Sequence, residues 1–112
     1  MLENVRNIIK KKLYRNMEEY DINIKELKEM QKLGATLIDV RSAAEYKEGH
    51  LSGAINVPEY EIKSKFNKLN LEKDKIIILY CISGYRSKRA YIKLKKLGYN
   101  RIYNLYGGLE AY

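Results

Sequence analysis

Ile76-Ile77-Ile78-Leu79-Tyr80-Cys81-Ile82-Ser83-Gly84-Tyr85-Arg86-Ser87 is the stretch on which the architecture turns. Its first five residues are uncharged and β-rich, the pattern of a strand buried on both faces. Gly84 marks a short loop, and apolar residues then recur at helical spacing from Ser87 to Leu97, with Gly98 placed to end the helix. A buried strand, a tight loop and a helix start together make an anion cradle. Backbone N–H groups converge on the loop, and the helix dipole favours negative charge there. Cys81, the only cysteine in the chain, stands at the mouth of that cradle. A thiol so placed is stabilised as the thiolate, which is the nucleophilic form. The competing reading is a buried cysteine acting as a small hydrophobe. The loop glycine, the arginine and the helix start that follow Cys81 favour the nucleophile.

The rest of the chain supplies the other elements of such a sheet. Leu2, Val5, Ile9, Leu13 and Met17 recur at helical spacing and predict an amphipathic helix over residues 2–18. Residues 21–24 read as a short strand, and a helix from Lys25 to Leu33 ends at Gly34. Thr36 to Val40 is a compact β-rich run. Ser42 followed by Glu45 makes a capping box for a short helix ending near Gly49. Ala54 to Val57 is a strand stopped by Pro58, Glu59 to Leu69 a helix, and Ile102 to Leu105 a last strand before Gly107-Gly108. Strands alternating with helices predict an α/β fold of three layers, with a mainly parallel central sheet covered on both faces. Residues 1–20 are an N-terminal helical extension on this reading, and residues 21–112 the domain proper. Ligands of such sheets bind beyond the carboxyl ends of the strands, where Cys81 lies.

At 112 residues the chain is one domain, long enough for a core without disulfide staples. A single cysteine makes no internal bridge, so nothing points to an oxidising compartment. The first residues mix charges without an apolar run, and the longest uncharged stretch, residues 76–85, is too short to cross a bilayer. The expected location is the cytoplasm, with no membrane partner. The net charge is +8, and it is concentrated. Lys75, Arg86, Lys88, Arg89, Lys93, Lys95, Lys96 and Arg101 lie between residues 75 and 109 with no Asp or Glu among them. Elsewhere basic and acidic side chains cancel. Lys93, Lys95 and Lys96 read as a solvated helix face. No nucleic-acid motif accompanies the charge, so no nucleic-acid partner is expected, and attraction of a small anion towards Cys81 suits its location. One Cys and one His make no metal-ligand set, and no cofactor is expected.

Five motifs in order, residues 37–41 (Leu-Ile-Asp-Val-Arg), Glu45-Tyr46, residues 49–58 (Gly-His-Leu-Ser-Gly-Ala-Ile-Asn-Val-Pro), residues 81–87 and residues 107–111 (Gly-Gly-Leu-Glu-Ala), resemble the successive signatures of the rhodanese-like sulfurtransferases. The resemblance covers residues 22–112 and is to the single-domain, catalytic form, since cysteine holds the nucleophile position. It implies that Cys81 attacks the outer sulfur of thiosulfate or a similar donor. Sulfite leaves, a persulfide remains, and a thiol, cyanide or protein acceptor then takes the sulfur. The alternatives are a persulfide carrier for cofactor or tRNA thiolation, fed by a protein donor, and a non-catalytic module that senses sulfide or oxidants. Cysteine phosphatases and arsenate reductases use a Cys-x5-Arg loop usually preceded by histidine. Here Tyr80 precedes the cysteine and Arg86 arrives one residue early, which argues against both activities.

The persulfide-binding loop is then Ile82, Ser83, Gly84, Tyr85, Arg86 and Ser87, with N–H groups of residues 82–86 stabilising the anionic sulfur. Gly84 supplies backbone angles that a side chain resists. Arg86 has two even readings, holding the sulfonate end of the donor or tying the loop down. Ser83 and Ser87 offer hydroxyls, and Ser87 reads equally as the helix N-cap. Asp39 and Arg41 match the family's Asp-x-Arg. Asp39 is placed to orient the loop, and Arg41 is expected to pair with Glu45. His50, the lone histidine, reads as a satisfied core group rather than a general base. The chain ends at Tyr112, where the family usually has Trp and a further segment. The N-terminal stripe is therefore expected to cover apolar surface beside the last strand, in cis or swapped from a second copy. The oligomeric state has no sequence signature.

Overall fold

A computed structural model describes residues 17–112. The predicted N-terminal helix lies outside the described residues except for Met17 and Glu18, which are not helical. The elements follow as β1 (Asp21–Ile22), α1 (Ile24–Lys32), β2 (Thr36–Asp39), α2 (Ala43–Glu48), β3 (Ile55–Asn56), α3 (Ile62–Lys65), β4 (Ile77–Tyr80), α4 (Tyr85–Lys96) and β5 (Ile102–Leu105). Short 3-10 turns at Glu59–Glu61 and Phe66–Leu69 flank α3, and another, Gly108–Ala111, follows β5. All five strands are parallel, in the order β1-β5-β4-β2-β3. No helix among the described residues is long and apolar enough to cross a membrane.

β4 is central and every one of its residues is buried. Its side chains alternate between two apolar clusters, as a pleated strand requires. Ile77, Leu79 and Cys81 join Ile38, Val40, Phe66, Ala90 and Leu94 on one face, under α3 and α4. Ile78 and Tyr80 join Ile22, Leu27, Leu37 and Leu105 on the other, under α1. Cys81 therefore continues the face that α4 covers, and Tyr80 points to the opposite side. This alternation decides the geometry of the site.

Local signals explain most boundaries. Both halves of the Ser42–Glu45 capping box form, with the Glu45 N–H donating to Ser42 Oγ at 3.2 Å and the Ser42 N–H to Glu45 Oε1 at 3.0 Å. Asn23 and Glu26 make a second box at the start of α1. Two expectations need correction. The helix predicted over Glu59–Leu69 is instead a relay of short turns around α3, without side-chain caps and anchored by the fully buried Ile62 and Phe66. α4 starts at Tyr85, two residues before the predicted Ser87, because Gly84 takes φ +100° and turns the chain directly into the helix. Ser87 is thus inside the first turn and is not the N-cap.

Candidate active site

The cradle forms at the carboxyl end of β4. The Gly84 N–H donates to Cys81 Sγ at 3.0 Å and the Ser87 N–H at 3.4 Å, while Ser87 Oγ lies 3.4 Å from the sulfur. Ser87 Oγ also donates to the Gly84 carbonyl at 3.1 Å, locking its own position in the first turn of α4. Of the backbone donors expected over residues 82–86, Gly84 supplies one, and the second comes from Ser87 just beyond. Ser83 and Tyr85 are exposed, and the Ser83 hydroxyl makes no hydrogen bond to the sulfur. Cys81 itself is 1% exposed, so a donor must present a slender end to reach it.

The turn after β5 clamps this loop from behind. The Leu109 N–H donates to the Cys81 carbonyl and the Glu110 N–H to the Ile82 carbonyl, both at 2.9 Å. Gly108 has φ +62°, and a Cβ there would overlap the Ile82 carbonyl and come within 2.6 Å of the Cys81 carbonyl oxygen. Gly108 is therefore a close-approach site between two backbones, while a Cβ on Gly107 would meet the Ala111 side chain. Beside the loop a pocket of about 300 Å³ is lined by Ser83, Gly84, Tyr85, Lys88, Tyr106 and Gly107.

Arg86 is held by Glu45. Its Nη1 donates to Glu45 Oε1 at 2.6 Å and its Nη2 to Glu45 Oε2 at 2.9 Å, a bidentate pair linking α4 to α2. The Arg86 guanidinium holds the Glu45 carboxyl down at about 2, against burial that opposes the shift. Arg86 is raised in turn, chiefly by Glu45, with the nearby charges of Cys81 and Asp39 adding to it. The expected Arg41–Glu45 pair does not form. Arg41 leaves β2 on the other side and binds Asp39, with Nη2 2.7 Å from Oδ2, and its Nη2 also donates to the Gly49 carbonyl at 2.6 Å. Four residues of separation suggested Arg41 as the partner of Glu45, but Arg86 reaches it from α4.

Asp39 is completely buried and also accepts the Tyr80 hydroxyl at 2.7 Å. Tyr80 in turn accepts the Leu51 N–H at 3.0 Å. Burial first, then the hydrogen bond to Asp39, raises the Tyr80 hydroxyl far above its usual range, so it stays a donor. This network joins β2, β4 and the loop at residues 49–51, and Asp39 acts on the residue preceding Cys81 rather than on the cradle. Sequence reading missed Tyr80. Its one signal was the alternation that sends residue 80 to the face opposite Cys81. His50 is not a core group: it is exposed, stacked on the Tyr46 ring at 3.7 Å between centroids, with Nδ1 2.9 Å from the Tyr46 carbonyl. Among the described residues, no cluster of His, Cys, Asp and Glu is arranged to hold a metal ion.

A parallel sheet of this order, with a cysteine seated in a loop cradle at the end of its central strand, defines a rhodanese-like architecture. The family model described as Rhodanese-like domain matches residues 23–112, and the chain belongs to that family. Uncharacterized protein YqhL of Bacillus subtilis (strain 168) is 42% identical over 78 residues, which are 70% of this chain and 60% of that protein. A tRNA uridine(34) hydroxylase of Enterobacter sp. (strain 638) is 33% identical over 82 residues, 70% of this chain and 24% of the hydroxylase. The chain thus spans less than two thirds of either relative. Human single-domain sulfurtransferase TSTD1 superposes with a TM-score of 0.72 at 27% identity, covering 80% of this chain and 90% of the human one.

Proposed function

We infer that the protein is a sulfurtransferase that carries sulfane sulfur as a persulfide on Cys81. The observation that carries this reading is the pair of backbone N–H groups, from Gly84 and Ser87, aimed at the Cys81 sulfur. Fixed donors of this kind receive an anionic sulfur without reorganising. Cys81 Sγ attacks the outer sulfur of a donor such as thiosulfate, a new S–S bond forms, and sulfite leaves with the electron pair of the broken bond. A thiophilic acceptor, a thiol or cyanide, then attacks the same outer sulfur and regenerates Cys81. Ile82, Ser83, Gly84, Tyr85, Arg86 and Ser87 form the loop around the persulfide. Asp39 and Arg41 brace the structure beside it, through Tyr80 at the end of β4 and the Gly49 carbonyl. A lone, buried cysteine suits a reducing compartment, and we place the reaction in the cytoplasm.

A second reading keeps the same persulfide but makes the protein a sulfur carrier in a thiolation pathway. It draws on the same two backbone donors, which would hold a persulfide received from a protein as well as one taken from a small donor. Intact-mass analysis after incubation with thiosulfate tests the chemistry common to both. Gain of one sulfur atom, removed by cyanide and absent in Cys81→Ser, is the expected result. A Cys81→Ser variant that still forms thiocyanate at a substantial rate would overturn the assignment. Turnover with small donors, set against transfer from a cysteine desulfurase, separates enzyme from carrier.

A further inference from the structure

The cavity of about 300 Å³ beside the cradle has no part in the transfer steps above. Ser83, Gly84 and Tyr85 of the Cys81 loop line one side of it, and Gly84 ties it directly to the sulfur, since its amide nitrogen lies 3.0 Å from Sγ. Gly84 and Gly107 face each other across its floor, where a Cβ on Gly84 would come 3.8 Å from the Gly107 nitrogen. Tyr85 and Tyr106 supply aromatic lining, and Lys88 stands one helical turn after Tyr85, on the same side of α4. No Asp or Glu lines this cavity. Three other cations of α4 are committed, Arg86 to Glu45 and both Arg89 and Lys93 to Glu59. Among the described residues no carboxylate pairs with Lys88. An uncompensated ammonium beside aromatic walls suits a ligand with an anionic end and an apolar stem. Thiosulfate has no such stem, because its sulfonate is bonded directly to the sulfur that is transferred.

Building on the persulfide reading above, we propose that this cavity is the acceptor subsite, and that Lys88 selects small thiols carrying a carboxylate. The Lys88 ammonium holds the carboxylate, the stem lies along Tyr85 and Tyr106, and the thiolate is delivered past Gly84 to the sulfur on Cys81. There R–S⁻ attacks the outer sulfur of the persulfide, Sγ–SH. A bond forms between the acceptor sulfur and the outer sulfur, and the bond from the outer sulfur to Sγ breaks. Sγ leaves with the electron pair as the Cys81 thiolate. The proton stays on the transferred sulfur, so the released product is R–S–SH. No oxidant or reductant enters. Lys88 touches the acceptor and no reacting atom, so its effect falls on which thiol is bound.

The full chain is first loaded with thiosulfate, the added sulfur is checked by intact mass, and its discharge is timed in a single turnover. Three thiols of similar size serve as probes at matched thiolate concentrations: anionic 3-mercaptopropionate, neutral 2-mercaptoethanol and cationic 2-aminoethanethiol. The wild type should half-saturate at the lowest concentration with 3-mercaptopropionate. Lys88→Gln should raise that concentration about fivefold and shift the value for 2-mercaptoethanol by less than about twofold. Lys88→Glu should go further and favour 2-aminoethanethiol, while Lys88→Arg keeps the wild-type order. Equal changes for all three thiols, or a preference that does not follow the charge at position 88, would overturn the proposal and leave the persulfide chemistry standing. A wild type that takes no sulfur from thiosulfate would instead remove the reading on which it rests.

Discussion

Tyr80 makes two hydrogen bonds through a single oxygen, donating to Asp39 and accepting from the Leu51 N–H. Deleting the hydroxyl leaves the Leu51 N–H short of this partner and takes one donor from Asp39 Oδ2, which keeps those of Arg41. Tyr80→Phe should cost about 1–3 kcal/mol, read as a lowered denaturation midpoint, while the Gly84 and Ser87 donors to Cys81 stay in place. A midpoint equal to that of the wild type would mean that water replaces the hydroxyl. Glu45 gives a second test, through pH. Its folded pKa of about 2 lies below the ordinary 4.5, so the Arg86 pair contributes fully above about pH 4.5 and is lost as pH falls towards 2. With both side chains partly exposed, the contribution is about 1–2 kcal/mol after solvent screening. Urea midpoints at pH 6 and pH 2.5 should therefore converge in Glu45→Gln more than in the wild type.

Two packed backbones, the loop after β4 and the turn after β5, meet at Gly108 without room for a methyl group. Gly108→Ala should destabilise the domain by about 2–3 kcal/mol and slow Cys81 persulfidation, because the cradle must shift to admit the Cβ. Thermal melts and mass-detected sulfur uptake would measure the two effects, and a variant unchanged in both would show the clamp to be dispensable. Elements with local punctuation were readable in the sequence: β4 from its apolar run, α2 from its capping box, and the ends of α1 and α4 from glycine. The relay around α3 was not, since burial of Ile62 and Phe66 shapes it more than any cap does. The partners of Glu45 and Asp39 were illegible for a related reason. Arg86 and Tyr80 each lie 41 residues from the carboxylate they bind, so only the strand order brings them together. Cys81 and Gly84 could be placed beforehand because strand, loop and helix are contiguous.

Across the whole molecule, the excess positive charge lies in the third of the chain that builds β4, α4 and β5. The Arg86–Glu45 pair adds nothing to that field at a distance, being neutral. The association of any anionic donor should weaken as salt rises, with kcat/KM falling and kcat constant. A salt slope that vanished in a variant lacking Lys88 alone would instead trace the attraction to one side chain. Among the described residues β1 pairs with β5 alone, so the first strand described finds its partner in the last one. During synthesis, then, the sheet cannot close strand by strand as it leaves the ribosome. The carbonyls of Cys81 and Ile82 also wait for the amides of Leu109 and Glu110. A nascent chain that has not yet released residues 102–110 carries its thiol without a finished cradle.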